Sequence, residues 1–294
     1  MIDPAAAPDR FDVDGYPLAY VEAGAGPPLL LVHGSLADYR AWTRQLPAFA
    51  ARFRTIAVSL RHAYPERWDG SGDGFTVARH AADLAAFVRS RGLAPVHVVG
   101  HSRGGAVAVA LALREPALVQ SLVLADPGGF EALLPDTADG RRMADESAAM
   151  FARLRDDLAR GDPLRAATAF ADALGGPGAW ERRAPAAKAM LLDNIATGPA
   201  CAERPRFAPA DLAQLPGPIL PVTGARSPPR YALMLAALAR VNPRVAELVT
   251  IPDAAHAMNR ENPAAFNDAM LAFLDRRDAY SAVGNIGDKR MPEK

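Results

Sequence analysis

Residues 95–112 constrain this chain more than any other stretch. They read Pro-Val-His-Val-Val-Gly-His-Ser-Arg-Gly-Gly-Ala-Val-Ala-Val-Ala-Leu-Ala. A short β-branched run meets a turn of small residues, and an alanine-rich segment without proline follows. That order predicts a strand, a tight turn and a helix. Ser102 sits in the turn between Gly100 and Gly104. A serine there is held in a strained backbone conformation. Its neighbours must be small because strand and helix pack closely at that point. The hydroxyl then projects above the sheet at a helix N-terminus, where backbone N–H groups and the helix dipole favour negative charge. A bare G-x-S-x-G occurs by chance in many chains; here the strand before it and the helix after it give it weight.

The rest of the chain alternates in the same way. Residues 11–15 and 18–22 read as a hairpin turning near Gly15. Three apolar runs, within 27–34, 54–60 and 119–126, suit strands buried on both faces. A short helix is predicted over 41–53. An amphipathic helix is predicted over 76–92, with Arg79 and Asp83 outward and Val77, Leu84, Phe87 and Val88 on the inner face. From about residue 130 to 210 the strand rhythm stops, and helical segments separated by glycines take over. Strands resume at 218–224 and 247–252, with helices at 230–241 and 263–277. Strands alternating with helices predict an α/β fold with a mostly parallel sheet.

Composition narrows the functions available. The chain has 294 residues, with 33 Lys+Arg against 33 Asp+Glu, so net charge points neither to nucleic acid nor to an anionic membrane. Cys201 is the single cysteine, which suits a reducing, cytoplasmic setting. No apolar run is long enough to span a bilayer, and Met1–Arg10 lacks the basic head and apolar core of a secretory leader. The last residues, 280–294, read as a loose tail. Asp69-Gly70-Ser71-Gly72-Asp73-Gly74 imitates the start of a calcium loop, but its twelfth position is His80 rather than glutamate. No P-loop and no complete dinucleotide fingerprint follows any strand. His97 and His101 fall on a strand and a turn, so neither metal nor cofactor is expected.

Three motifs together carry a family resemblance: Gly100-His101-Ser102-Arg103-Gly104, the upstream Leu31-Val32-His33-Gly34-Ser35, and Pro252-Asp253-Ala254-Ala255-His256. Over about residues 11–277 the chain resembles the α/β-hydrolase superfamily, in its capped esterase, lactonase and C–C hydrolase branch. The resemblance implies an eight-stranded, mostly parallel sheet flanked by helices, with a helical cap inserted after the sixth strand. The core would comprise 1–129 and 211–279, and the cap 130–210. It implies Ser102 as nucleophile, His256 as general base, and the backbone N–H groups of Ser35 and Arg103 as oxyanion donors. His33, which precedes Gly34, is read as structural.

The acid departs from the common pattern. Most members of the family carry aspartate in the loop after the strand that follows the cap. Here that loop is Gly224-Ala225-Arg226-Ser227. Other members place the acid after the strand just beyond the nucleophile helix, where this chain has Asp126, 24 residues after Ser102. Asp126 is therefore the expected acid, beside the plainer reading that Asp126-Pro127-Gly128-Gly129 is only a turn. Asp253 stands too close in the chain to His256 to reach round to it. The segment from Arg61 to Trp68 replaces another family turn; it reads either as one wall of the pocket or, the plainer reading, as packing at the sheet edge. Leu36, Met258, Trp180 and Met190 are the expected pocket walls. Basic residues are scattered along the chain, which argues against a strongly anionic substrate.

The expected function is cleavage of an ester or lactone of a small, mostly apolar molecule through an acyl-enzyme, by a monomer or homodimer without a cofactor. C–C bond hydrolysis, cofactor-free perhydrolysis and a non-catalytic ligand receptor of the same fold remain as alternatives.

Overall fold

Continuous apolar runs become central strands because both of their faces are buried. In the computed structural model, which describes residues 7–284 except 73 and 204, eight strands form one sheet. They are β1 (Asp9–Val13), β2 (Tyr16–Ala23), β3 (Pro28–Val32), β4 (Arg54–Val58), β5 (Val96–His101), β6 (Val119–Ala125), β7 (Ile219–Gly224) and β8 (Val249–Ile251). Their order is β1-β2-β4-β3-β5-β6-β7-β8. β2 runs antiparallel to β1 and β4, and the other pairings are parallel.

The register divides each run between two cores, because successive side chains point to opposite faces. Leu30, Val98, Leu122 and Ile219 stand in one row across the sheet. They pack on Leu84 and Phe87 of the helix Val77–Ser90, and on Val107 and Leu111 of the helix Arg103–Arg114. The next row, Leu31, Val99, Val123 and Leu220, faces Phe49, Phe266 and Phe273 on the other side. Each such side chain stabilises the fold by about 1.5–3 kcal/mol on burial, so the sheet is held from both faces.

Helices fill the interval between β6 and β7, at Ala138–Ala159, Pro163–Gly175, Ala179–Arg182 and Pro185–Asp193. Their starts follow from capping. Thr137 accepts from the Gly140 N–H at 3.1 Å, and Asp162 accepts from the Arg165 N–H at 2.9 Å with Pro163 in the first turn.

Several sequence expectations are corrected. The helix expected over 41–53 is a 3₁₀ turn, Tyr39–Trp42, and one helical turn, Leu46–Phe49. Asp83 does not face outward; it is buried and paired with Arg61 at 2.8 Å and Arg79 at 3.0 Å. The last helix runs on to Gly284, past the start of the expected tail at residue 280. The remainder of that tail, 285–294, and most of the supposed leaderless N-terminus, 1–6, lie outside the described residues, as does Asp73 of the calcium-loop imitation. Among the described residues no helix is long and apolar enough to cross a membrane, and no cluster of three metal-ligating side chains occurs.

Candidate active site

The chain segments that leave the carboxyl ends of β3, β5, β6, β7 and β8 converge, which is where open α/β sheets bind ligands. Ser102 joins β5 to the helix Arg103–Arg114 with φ +54° and ψ −119°, a region non-glycine residues rarely adopt. Backbone hydrogen bonds enforce it. The Ser102 N–H donates to Ala125 at 2.9 Å, and its carbonyl accepts from Gly105 at 2.9 Å and Gly128 at 3.0 Å. The glycines are there for proximity. A Cβ on Gly100 would stand 2.5 Å from the Gly104 carbonyl oxygen, and one on Gly104 would stand 2.2 Å from that of Val32. The same crowding brings the β3 loop onto the serine: a Cβ on Gly34 would lie 2.9 Å from the Ser102 Cβ. Ser35 and Arg103 therefore flank Ser102. Arg103 opens a helix, so its N–H has no acceptor within that helix.

His256 follows β8 and is buried. Its Nδ1 lies 3.1 Å from Oδ2 of Asp126, which directly follows β6 with φ +42°. The same oxygen accepts from the Ser227 hydroxyl at 2.6 Å. The serine in the family's usual acid position thus braces the carboxylate that faces the imidazole. Asp253 makes no such contact; its carbonyl oxygen accepts from Arg226 at 2.6 Å. The Tyr231 ring stacks on the His256 ring at 4.9 Å, and Nε2 of His101 donates to the His256 carbonyl at 2.7 Å. With Nδ1–H directed at the carboxylate, Nε2 is left as the acceptor.

Burial holds His256 well below the ordinary imidazole value, and the guanidinium groups of Arg230, Arg183 and Arg260 push the same way. Burial pushes Asp126 upward, while the Ser227 hydrogen bond and the surrounding cations pull it back. The imidazole is therefore neutral at neutral pH, the form that can accept a proton.

Two cavities meet at Ser35 and Ser102. One is lined by Val77, Ala106, Phe151, Cys201 and Tyr231 among others. The second is lined by Leu36, Phe170, Leu191, His256, Arg183 and Arg260 among others. The helices between β6 and β7 supply walls to both.

Of the four expected pocket residues, Leu36 lines a cavity. Met258, Trp180 and Met190 line neither of these two. Each is buried in an apolar core: Met258 and Met190 join Trp42 and Phe266, and Trp180 joins Leu174 and Phe170. Adjacency in sequence misled here: Met258, two residues after His256, is fully buried in that core. The Arg103 guanidinium is packed, donating to the carbonyl oxygens of Glu203 at 2.9 Å and Phe75 at 3.0 Å. His33 is structural: its Nε2 accepts from the Leu60 N–H at 2.9 Å, and its Nδ1 donates to the Gly34 carbonyl at 2.8 Å. The segment Arg61–Trp68 lines neither cavity; His62 stacks on Trp68 at 4.4 Å, and Trp68 stacks on Phe75. Its rings are packing groups.

Sequence reasoning missed His101, Tyr231, Arg183 and Arg260. His101 adjoins Ser102 in the sequence, but nothing along the chain shows its ring reaching the His256 carbonyl. The two arginines look scattered along the chain and come to line one cavity only in the fold.

A model of the alpha/beta hydrolase family matches residues 29–269. The chain is 37% identical over 131 residues to the dihydrolipoyllysine-residue acetyltransferase component of the acetoin cleaving system of Cupriavidus necator, covering 44% of this chain but only 34% of that relative. The corresponding component from Pseudomonas putida is 31% identical over 275 residues, 91% of this chain and 69% of the relative. Among solved structures, a thermophilic esterase from Thermogutta terrifontis in malate-bound form superposes with a TM-score of 0.69 at 27% identity, covering 92% of this chain and 98% of that one. The match runs from β3, through the serine turn and the inserted helices, into the last helix, so the fold and the strand-end loops that carry Ser102, Asp126 and His256 all lie within it. The chain belongs to the alpha/beta hydrolase family.

Proposed function

We propose that this hydrolase cleaves a carboxylic ester by way of an acyl-enzyme on Ser102. The observation that carries the reading is the placement of His256. Its Nδ1 is fixed on Asp126, and its ring shares a cavity wall with Ser102. A serine hydroxyl is a weak nucleophile until a neighbouring base removes its proton. His256 takes that proton as the Ser102 oxygen adds to the ester carbonyl, and Asp126 stabilises the resulting imidazolium. The N–H groups of Ser35 and Arg103 receive the charge on the carbonyl oxygen. His256 then gives its proton to the departing alcohol. Water, activated in turn by His256, releases the acid. The inserted helices, within residues 130–210, act as the cap that covers the reacting groups. The esterase likeness supports this chemistry, and a serine stands where an aspartate nucleophile would be needed for epoxide opening.

The test is intact mass after exposure to a fluorophosphonate, which phosphonylates activated serines. Wild type is expected to gain one adduct and Ser102→Ala none. A folded wild type that gains none, or an adduct that persists in Ser102→Ala, refutes the assignment.

A further inference from the structure

Arg183 and Arg260 both line the cavity that holds His256. Among the described residues neither guanidinium has a hydrogen-bond or ion-pair partner, and Nε of Arg183 is buried without one. The carboxylates near them are already engaged. Glu261 accepts from the Ala255 N–H at 2.6 Å, and Asp172 accepts from the Trp180 N–H at 2.8 Å. Asp38 accepts from Arg40 at 2.7 Å and from Asn194 at 2.7 Å. Burial and the adjacent Arg183 charge draw Arg260 down to about 10, so the two cations sit close enough to oppose each other. Partly buried like charges without partners destabilise a fold. A chain that keeps two of them in the wall of its reaction cavity has a place for an anion.

We propose that Arg183 and Arg260 bind an oxyanion, a carboxylate or a phosphate monoester, carried on the leaving half of the substrate. The inference rests on the reading of Ser102 and His256 given above. His256 lines this cavity and not the other. The group that hands a proton to the departing oxygen must have that oxygen on its own side of the nucleophile. The leaving alcohol therefore enters the cavity of the two arginines, and the acyl chain takes the one lined by Val77, Ala106 and Phe151. Phe170, Leu174 and Leu191 line the same space and fit an apolar body between the scissile oxygen and the anion. Planar guanidinium forks match both oxyanions.

The test compares kcat/KM for three acetate esters: 4-acetoxybenzoate, 4-acetoxyphenyl phosphate and the neutral methyl 4-acetoxybenzoate. Each rate is divided by that of the same ester with hydroxide, which removes differences in leaving-group reactivity. Wild type is expected to favour one anionic ester by roughly ten- to hundredfold, as charge-assisted contacts allow. Which ester wins identifies the anion. In Arg183→Gln and Arg260→Gln the loss on that ester is expected to exceed the loss on the neutral one by about tenfold. Calorimetry of wild type with 4-hydroxybenzoate and with 4-hydroxyphenyl phosphate reads binding without turnover and needs no variant. Wild type that treats the three esters alike and binds neither product overturns the inference even where the fluorophosphonate adduct forms. Product binding without an adduct overturns the serine reading and leaves the anion site standing.

Discussion

Asp126→Asn separates the acid from a mere turn. The carboxylate oxygen stands 3.1 Å from Nδ1 of His256, so the charge that develops on the imidazole meets a full opposite charge at hydrogen-bond distance. At an effective dielectric of about 20 that attraction amounts to about 5 kcal/mol. Each ~1.4 kcal/mol of barrier is a factor of ten in rate, so its loss lowers kcat by roughly 10³- to 10⁴-fold. The lower end is the better expectation, because burial already raises the proton affinity of Asp126 and offsets part of the attraction. The amide has the shape of the carboxylate. Its carbonyl oxygen can keep the Ser227 hydrogen bond, so the fold should persist. The assay is turnover of 4-nitrophenyl acetate and the rate of fluorophosphonate labelling, beside a thermal melt of the same samples. A variant that melts like wild type and turns over within about tenfold of it refutes the reasoning. Asp126-Pro127-Gly128-Gly129 would then be only a turn.

Three further outcomes follow from the same geometry. Ser227→Ala removes the 2.6 Å hydrogen bond to Asp126, which stabilises the charged form; kcat should fall by roughly tenfold, and the acid limb of the pH–rate profile should move to higher pH. An unchanged profile would show that the serine only fills space. Met258→Ala empties a fully buried site beside Trp42 and Phe266, so urea melts should show a loss of about 2–5 kcal/mol; a changed KM with an unchanged midpoint would return Met258 to the pocket wall. His33, His80, His101 and His256 are all held below the ordinary value, chiefly by burial. The unfolded chain therefore binds more protons once pH falls through about 6.5, and stability is lost in that direction; the raised Asp126 opposes it in part. Melting temperature should be lower at about pH 5 than at about pH 7, and a flat or rising trend would contradict the sign.

What could be read in advance depended on how local the physics is. The sheet was legible because its central strands are buried on both faces, which forces short, β-branched or apolar runs, such as those in Pro28–Val32 and Val119–Ala125, whose length and flanking turn residues mark them as strands. Ser102 was legible because its strain and close packing are enforced by glycines two residues to either side. Asp126 was half legible. The chain shows an aspartate after β6, but only the fold brings the Ser227 hydroxyl onto the carboxylate oxygen that faces His256. Asp83 was misread because an outward periodicity says nothing of a partner such as Arg61 arriving from another loop. Arg183 and Arg260 were invisible for the same reason. One lies just past a one-turn helix in the inserted segment and the other in the turn after His256, so no window along the chain contains both. Charge counted along a sequence measures the mean field of a surface. Charge gathered by a fold measures the potential inside a cavity, where low dielectric makes two unpaired guanidinium groups matter more than the balance of the rest. A chain with no net charge can for that reason be built to select an anion.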